Sequence, residues 1–242
     1  INGTILTYGQ TSSGKTFTME GPSMWDPQHQ GVIPRAVERL FQLIAEADVH
    51  TAFTVKVAYY EIYCEKIRDL LNPANVNLKT REDKDEGVVV SGVTEVYVAN
   101  KDDIMEVLET GKRFRASAPT LMNAESSRSH SILSIHVTQR NEISQRVRRG
   151  KLVLVDLAGS EKVSKTGAAG LRLEEAKNIN RSLTSLGMVI TALTEGPHHH
   201  VPYRDSKLTR VLQESLGGNS KTCLIICCAP EPRHAPETIS TL

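Results

Sequence analysis

Two hydrophobic periods alternate along this chain. "GTILTYG" is apolar and stops at Gly9, the pattern of a buried strand feeding a loop. After Lys15 and Thr16, "FTME" begins a helix. "PSMWDPQHQG" is a loop marked by Pro and Gly. "VIPRAVERLFQLIAEA" then sets Ile33, Val37, Leu40, Phe41 and Ile44 on one helical face, with Pro34 in its first turn. Phe53, Val55, Val57 and Tyr59 alternate with Thr54, Lys56, Ala58 and Tyr60, the period of a strand. "EDKDEG" is a charged hairpin tip or loop. "KDDIMEVLETG" gathers Ile104, Val107 and Leu108 on one face and stops at Gly111. "SILSIHVTQ" and "KLVLVDLAG" are strands around the basic hairpin "QRVRRGK".

From Leu173 a long helix presents Ala176, Ile179, Leu183, Leu186, Ile190 and Leu193, until "GPHHHVP" breaks it. Asp205 caps a second helix bearing Leu208, Val211, Leu212 and Leu216, which Gly217 and Gly218 end. "TCLIICCAPEP" closes the pattern as a last buried strand. Strands alternating with helices predict one layered α/β domain.

Composition narrows this little. The 242 residues are 39% hydrophobic and 24% charged, with a net charge of +1. No global field draws the chain to nucleic acid or membrane, so an electrostatic partner must be met by a local patch. No apolar run approaches the ~20 residues of a bilayer span. Cys64, Cys223, Cys227 and Cys228 form no C-x-x-C, which argues against zinc. They read as buried, reduced cysteines of a cytosolic protein.

The chemistry lies in three segments. Gly9 to Thr16 spell G-x-x-x-x-G-K-T between a strand and a helix. Glycines let backbone N–H groups curl around phosphate oxygens, and the helix N-terminus adds partial positive charge. Gly9, Gln10, Thr11, Ser12, Ser13 and Gly14 are thus phosphate-cradle candidates. Lys15 reaches the β- and γ-phosphates and the Thr16 hydroxyl binds Mg²⁺. "LVLVDLAGSE" places Asp156 at a strand end to hold the Mg²⁺ shell. Gly159, three residues on, offers its N–H to a γ-phosphate, a bond that exists only while that phosphate does. "NAESSRSH" packs Asn123, Ser126, Ser127, Arg128, Ser129 and His130 before a strand, suiting a phosphate edge and a positioned water.

In this order the three segments resemble the kinesin motor domain. The resemblance continues through "LEEAKNINRSLTSLG" and "VPYRDSKLTRVLQESLGGNSKT" and covers essentially the whole chain. The wording after Glu161 is most like conventional, cargo-transporting kinesins. The resemblance implies a P-loop NTPase fold, a central mixed, mostly parallel sheet with helices on both faces. It implies one motor domain over residues 1–242, without the family's first strands and their adenine motif, its last helix or its neck linker. It implies a microtubule-stimulated ATPase that moves along microtubules, by family expectation toward the plus end. Its cofactors are ATP and Mg²⁺.

Carried over by residue, the resemblance sets Asn123 and Ser126 at the γ-phosphate. Ser127 shares the Mg²⁺ shell with Thr16, and Asp156 supports that shell from behind. Arg128 pairs with Glu161, which accepts the proton of the attacking water. Lys162, Lys165, Lys177, Arg204, Lys207 and Arg210 form a basic face toward acidic tubulin. The partners implied are microtubules, with no nucleic acid and no membrane contact by this domain, and a second copy joined through a stalk. The location implied is cytoplasm and cytoskeleton. His198, His199 and His200 read as a solvated loop near tubulin.

Two other readings compete. A GTPase-like switch fits D-x-x-G, and "NKDD" at Asn100 to Asp103 matches a guanine-reading motif, but that motif precedes Asp156 instead of following it. Asn100 reads better as the opening of the helix near Asp102. A non-catalytic microtubule binder is disfavoured by the intact Lys15, Thr16, Arg128 and Glu161.

Overall fold

The computed structural model describes residues 2–84, 86–117, 127–161, 171–196 and 200–242; for residue 117 and residues 171–177 it describes the backbone alone. Among the described residues, nine strands form one sheet: β1 (Asn2–Tyr8), β2 (Thr51–Tyr63), β3 (Lys66–Asp69), β4 (Val76–Asp83), β5 (Gly87–Ser91), β6 (Val96–Val98), β7 (His130–Asn141), β8 (Val147–Asp156) and β9 (Ser220–Ile226). The helices are α1 (Lys15–Met19), α2 (Val32–Ala45), α3 (Lys101–Ser117), α4 (Leu171–Thr194), α5 (Lys207–Val211), α6 (Gln213–Gly217) and α7 (Ala235–Thr241).

The strand order is β5-β4-β3-β2-β7-β8-β1-β9, with β6 on β2. Mixed is the correct description of the sheet, but mostly parallel is not. β1 runs parallel to β8 and to β9, while β2–β3, β2–β6, β2–β7, β3–β4, β4–β5 and β7–β8 are antiparallel. The reason lies in the connections. β2 to β3, β4 to β5 and β7 to β8 turn directly back on themselves, which only antiparallel neighbours allow.

Register positions the site. Thr7 pairs with Asp156, Tyr8 with Ile226, and Ser131 with Asp156. The segments after β1, β8 and β9 therefore leave the sheet at one end, and the segment before β7 enters there.

The two faces carry separate cores. Val55, Val57, Tyr59, Leu133, Ile135 and Leu154 pack with Ile33 and Val37 of α2 and with Ile104, Met105 and Leu108 of α3. Leu6, Tyr60, Ile62, Ile132, Val153 and Val155 pack with Leu183 and Leu186 of α4 and with Leu208, Val211 and Leu212 of α5.

Four local expectations are corrected. Gly111 does not end α3, which runs on to Ser117; a Cβ at Gly111 would strike the Tyr59 ring, so the glycine serves close packing. Asp205 does not cap α5: it sits in a 3₁₀ turn, and Ser206 Oγ accepts from Thr209 N at 3.1 Å. The single helix expected after it is two short ones. Among the described residues β9 stands at the edge of the sheet, with Leu224 44% and Ile226 40% exposed; Cys223 within it and Cys228 beyond it are exposed, and Cys227 between them is buried. By contrast, Asn100 does open α3, its Oδ1 accepting from Asp103 N at 3.0 Å, so "NKDD" is a helix start.

Candidate nucleotide site

The loop after β1 turns tightly because its backbone adopts conformations that favour glycine. Gly9 has φ 151° and Gly14 φ 99°. A Cβ on Gly9 would collide with the Cys227 carbonyl, so the loop is pressed against the segment leaving β9. A Cβ on Gly14 would meet nothing within 4 Å, so that side of the loop is open. Lys15 opens α1 and is buried. Its Nζ curls back to the carbonyls of Gly9 at 2.9 Å and Gln10 at 2.8 Å. Burial pulls the ammonium below its usual range, and the charges of Asp156 and Glu161 oppose that pull.

Asp156 lies buried beneath the loop. Its Oδ2 accepts from Thr16 Oγ1 at 2.6 Å and its Oδ1 from Thr7 Oγ1 at 3.2 Å. The carboxylate thus ties the last turn of β1, the end of β8 and the start of α1. Beyond it, Ser160 N donates to Gly9 O at 3.1 Å and Gly159 N to Ser127 O at 3.0 Å. In this conformation the Gly159 amide, expected to face a phosphate, is held by Ser127. Glu161 reaches across to Thr11, accepting from its N at 2.8 Å and its Oγ1 at 2.6 Å. Arg128 lies half-buried in the turn before β7.

His130 does not line the phosphate edge. It is buried with Nδ1 accepting from Ala158 N at 3.1 Å and Nε2 facing Ser182 Oγ of α4 at 2.6 Å. Ser182 Oγ in turn lies 2.6 Å from the Ile179 carbonyl and donates to it. Burial, reinforced by the charges of Arg115 and Lys15, pushes the imidazole pKa down to about 3. A neutral ring that accepts at Nδ1 must donate at Nε2, so the tautomer is fixed.

Further contacts bear on the site that the sequence did not reveal. Arg115 is buried, donating to Ser129 O at 3.0 Å and to Ser129 Oγ. It pairs with buried Glu61 at 3.6 Å, which Arg68 approaches at 3.3 Å. Arg115 continues the stripe Ile104, Leu108, Gly111 at helical spacing, a signal that its side chain faces inward. Gln10 Nε2 contacts His234 Nδ1 at 2.9 Å, and Thr18 Oγ1 lies 3.7 Å from Cys227 Sγ.

Asn123, Ser126, Lys162, Lys165, His198 and His199 lie outside the described residues, as does the side chain of Lys177. The remaining basic candidates divide. Arg204 is 82% exposed and approaches the exposed Glu82 at 3.8 Å, a solvated pair that holds it only weakly. Arg210 is 16% exposed, bonded to Gln213 Oε1 at 2.6 Å and paired with Glu82, so its charge is already committed within the fold. Lys207 is half-buried, and its backbone N donates to Glu65 Oε2 at 2.7 Å.

The residues fit a bound phosphate chain. Ser13 Oγ, a hydroxyl able to donate to a phosphate oxygen, is buried with no hydrogen-bond partner among the described residues, in a loop left open above Gly14. Orphaned polar atoms of this kind are costly unless a ligand satisfies them.

Comparison with known proteins agrees. Residues 1–242 match the family model described as the kinesin motor domain. The chain is 59% identical over 241 residues to a kinesin heavy chain of Syncephalastrum racemosum, covering 100% of this chain and 26% of that protein. It is 57% identical over 241 residues to the Drosophila melanogaster kinesin heavy chain, covering 100% of this chain and 25% of that protein. A solved structure of a fast kinesin superposes with a TM-score of 0.92 at 57% identity, over 99% of this chain and 68% of that one. The chain spans about a quarter of the length of the curated relatives it matches.

Proposed function

Because this chain belongs to the kinesin motor domain family, which implies nucleotide binding, we propose that it is the ATP-hydrolysing head of a microtubule motor. The observation that carries the reading is the Thr7–Asp156–Thr16 junction, set under a phosphate loop whose Ser13 hydroxyl is unsatisfied. Plus-end movement, a partner head joined through a stalk, and a cytoplasmic, cytoskeletal location belong to the same proposal.

Phosphoryl transfer asks for positioning and charge more than for covalent chemistry. Lys15, held by two loop carbonyls, exchanges them for phosphate oxygens. Gly159 releases Ser127 and turns its amide to the third phosphate, which makes that bond a sensor of hydrolysis. Glu161, with Arg128 as its ion-pair partner, leaves Thr11 and takes the proton of a water held by Ser127 and Asn123. Mg²⁺, when bound, neutralises charge on the phosphates; Thr16 and Ser127 would hold it, with Asp156 acting from behind.

The test is turnover of ATP and of GTP by the full-length protein, with and without microtubules. ATP preference and strong stimulation, suppressed by added salt, are expected. Absence of stimulation at low salt overturns the motor reading.

A further inference from the structure

Rearrangement around Asp156–Glu161 is useful to a motor only if it is delivered to the elements that bear on the partner. Among the described residues a short, buried connection leads from this loop to α4. Ala158 lies in the loop between the sensor Asp156 and Gly159, and it is fully buried. Its amide donates to His130 Nδ1, and His130 Nε2 donates to Ser182 Oγ. Ser182 Oγ donates its own hydrogen bond to the Ile179 carbonyl, one turn earlier in α4. His130 and Ser182 are each 2% exposed, so water cannot replace either bond when it breaks.

The imidazole is well suited to this place. It is planar and rigid, and it presents an acceptor and a donor on opposite sides at a fixed separation. A hydroxyl or carboxamide has either too little reach or too many rotamers. The ring is also anchored laterally, since His130 begins β7 and follows Ser129, which the buried Arg115 clamps through its carbonyl and hydroxyl. The sensor loop is tied to the Ser127–His130 segment twice, at Gly159 to Ser127 and at Ala158 to His130. The second tie continues into α4.

We propose that His130 and Ser182 are positioning residues that transmit displacement of the Ala158 loop to α4, coupling the nucleotide state to the helix. The proposal rests on the motor reading above and adds to it a specific route. Neither residue touches phosphate in this arrangement, so the route is separable from the chemistry. Moving Ala158 must either draw α4 with it or break one of two buried hydrogen bonds in series.

The experiment uses the full-length protein with Ser182→Ala, and Ser182→Cys as a variant that keeps the branching and weakens the acceptor. Basal ATPase of Ser182→Ala should stay within about twofold of the parent, while microtubule-stimulated turnover falls roughly tenfold, the scale of a typical coupling free energy. Ser182→Cys should fall in the same direction by less. Hydrogen exchange at α4 amides, measured without microtubules, should differ between ADP and a non-hydrolysable ATP analogue in the parent. In Ser182→Ala that difference should vanish. Adding His130→Asn to Ser182→Ala should lower stimulation no further, because both sever one connection. Parental stimulation with a parental exchange difference overturns the proposal. So do additive losses, or a parallel fall in basal and stimulated rates accompanied by a lowered melting temperature. If the parent itself is not stimulated by microtubules, the motor reading fails, and the exchange comparison still decides the connection.

Discussion

Glu161 holds Thr11 at two atoms, accepting from its backbone N at 2.8 Å and its Oγ1 at 2.6 Å. The carboxylate proposed to take a proton from water is thus bonded to the phosphate loop. It must exchange those bonds before it can act. Glu161→Gln keeps an acceptor for Thr11 but cannot take up a proton. Turnover should fall at least about 100-fold, the range of a lost general base, with nucleotide affinity nearly unchanged. Single-turnover hydrolysis beside equilibrium nucleotide binding checks both halves.

Lys15 is the second test. Its ammonium is buried and satisfied by two loop carbonyls. Hydrogen bonds to charged groups contribute about 1.5–3 kcal/mol each. Lys15→Ala should therefore weaken nucleotide binding on the order of 100-fold, read by titration with a fluorescent nucleotide. Parental affinity in this variant would remove the phosphate assignment.

Arg204 and Arg210 should behave oppositely. Arg204 is 82% exposed, and Arg204→Glu should change stability by no more than about 0.5 kcal/mol. It should raise the microtubule concentration for half-stimulation at low salt, an effect that fades as salt rises. Arg210→Glu sets a carboxylate against Glu82 and breaks the bond to Gln213, costing about 2 kcal/mol in urea unfolding. A stable Arg210→Glu with weakened microtubule docking would return Arg210 to the docking face.

The pattern of legibility follows from what is local. The phosphate loop could be read because its spacing alone dictates a turn between strand and helix. Asp156 could be read because an apolar strand must end before it. Strand direction could not, since it is set by which neighbours a hairpin joins. β9 was expected to be buried because a run such as "TCLIICC" says nothing about whether strands flank it on both sides. His130 was grouped with its polar neighbours in sequence, yet its partners, Ala158 and Ser182, arrive from distant segments. Arg115 and Glu61 interrupt apolar stripes, and only the pairing across α3 and β2 explains why both charges are tolerated.

Acid should destabilise the fold through two histidines. Burial lowers His130 to about 3 and His136 to about 4, from the usual 6.5. The unfolded chain takes up these protons near pH 6.5 and the folded chain only near pH 3–4. The stability they contribute is complete above pH 6.5 and lost as pH falls toward 4. Each contributes a slope of up to about 1.4 kcal/mol per pH unit. His136→Asn should flatten urea-unfolding stability between pH 6 and 4.5 by about that amount. An unchanged slope would mean that the His136 ring is already charged in the folded state.

The parallel pairing of β1 sets a schedule for biosynthesis. β1 lies between β8 and β9, and Tyr8 pairs with Ile226. The strand that delivers the phosphate loop is made first among these three, yet its second neighbour is translated roughly 200 residues later. At about 5–20 residues per second the ribosome needs on the order of 10–40 s to supply it. Until then one edge of β1 offers unpaired N–H and C=O groups, an invitation to wrong partners. A nascent chain of this kind cannot capture nucleotide early, so ligand cannot assist its first folding steps. Nucleotide affinity thereby becomes a reporter that β9 has paired with β1.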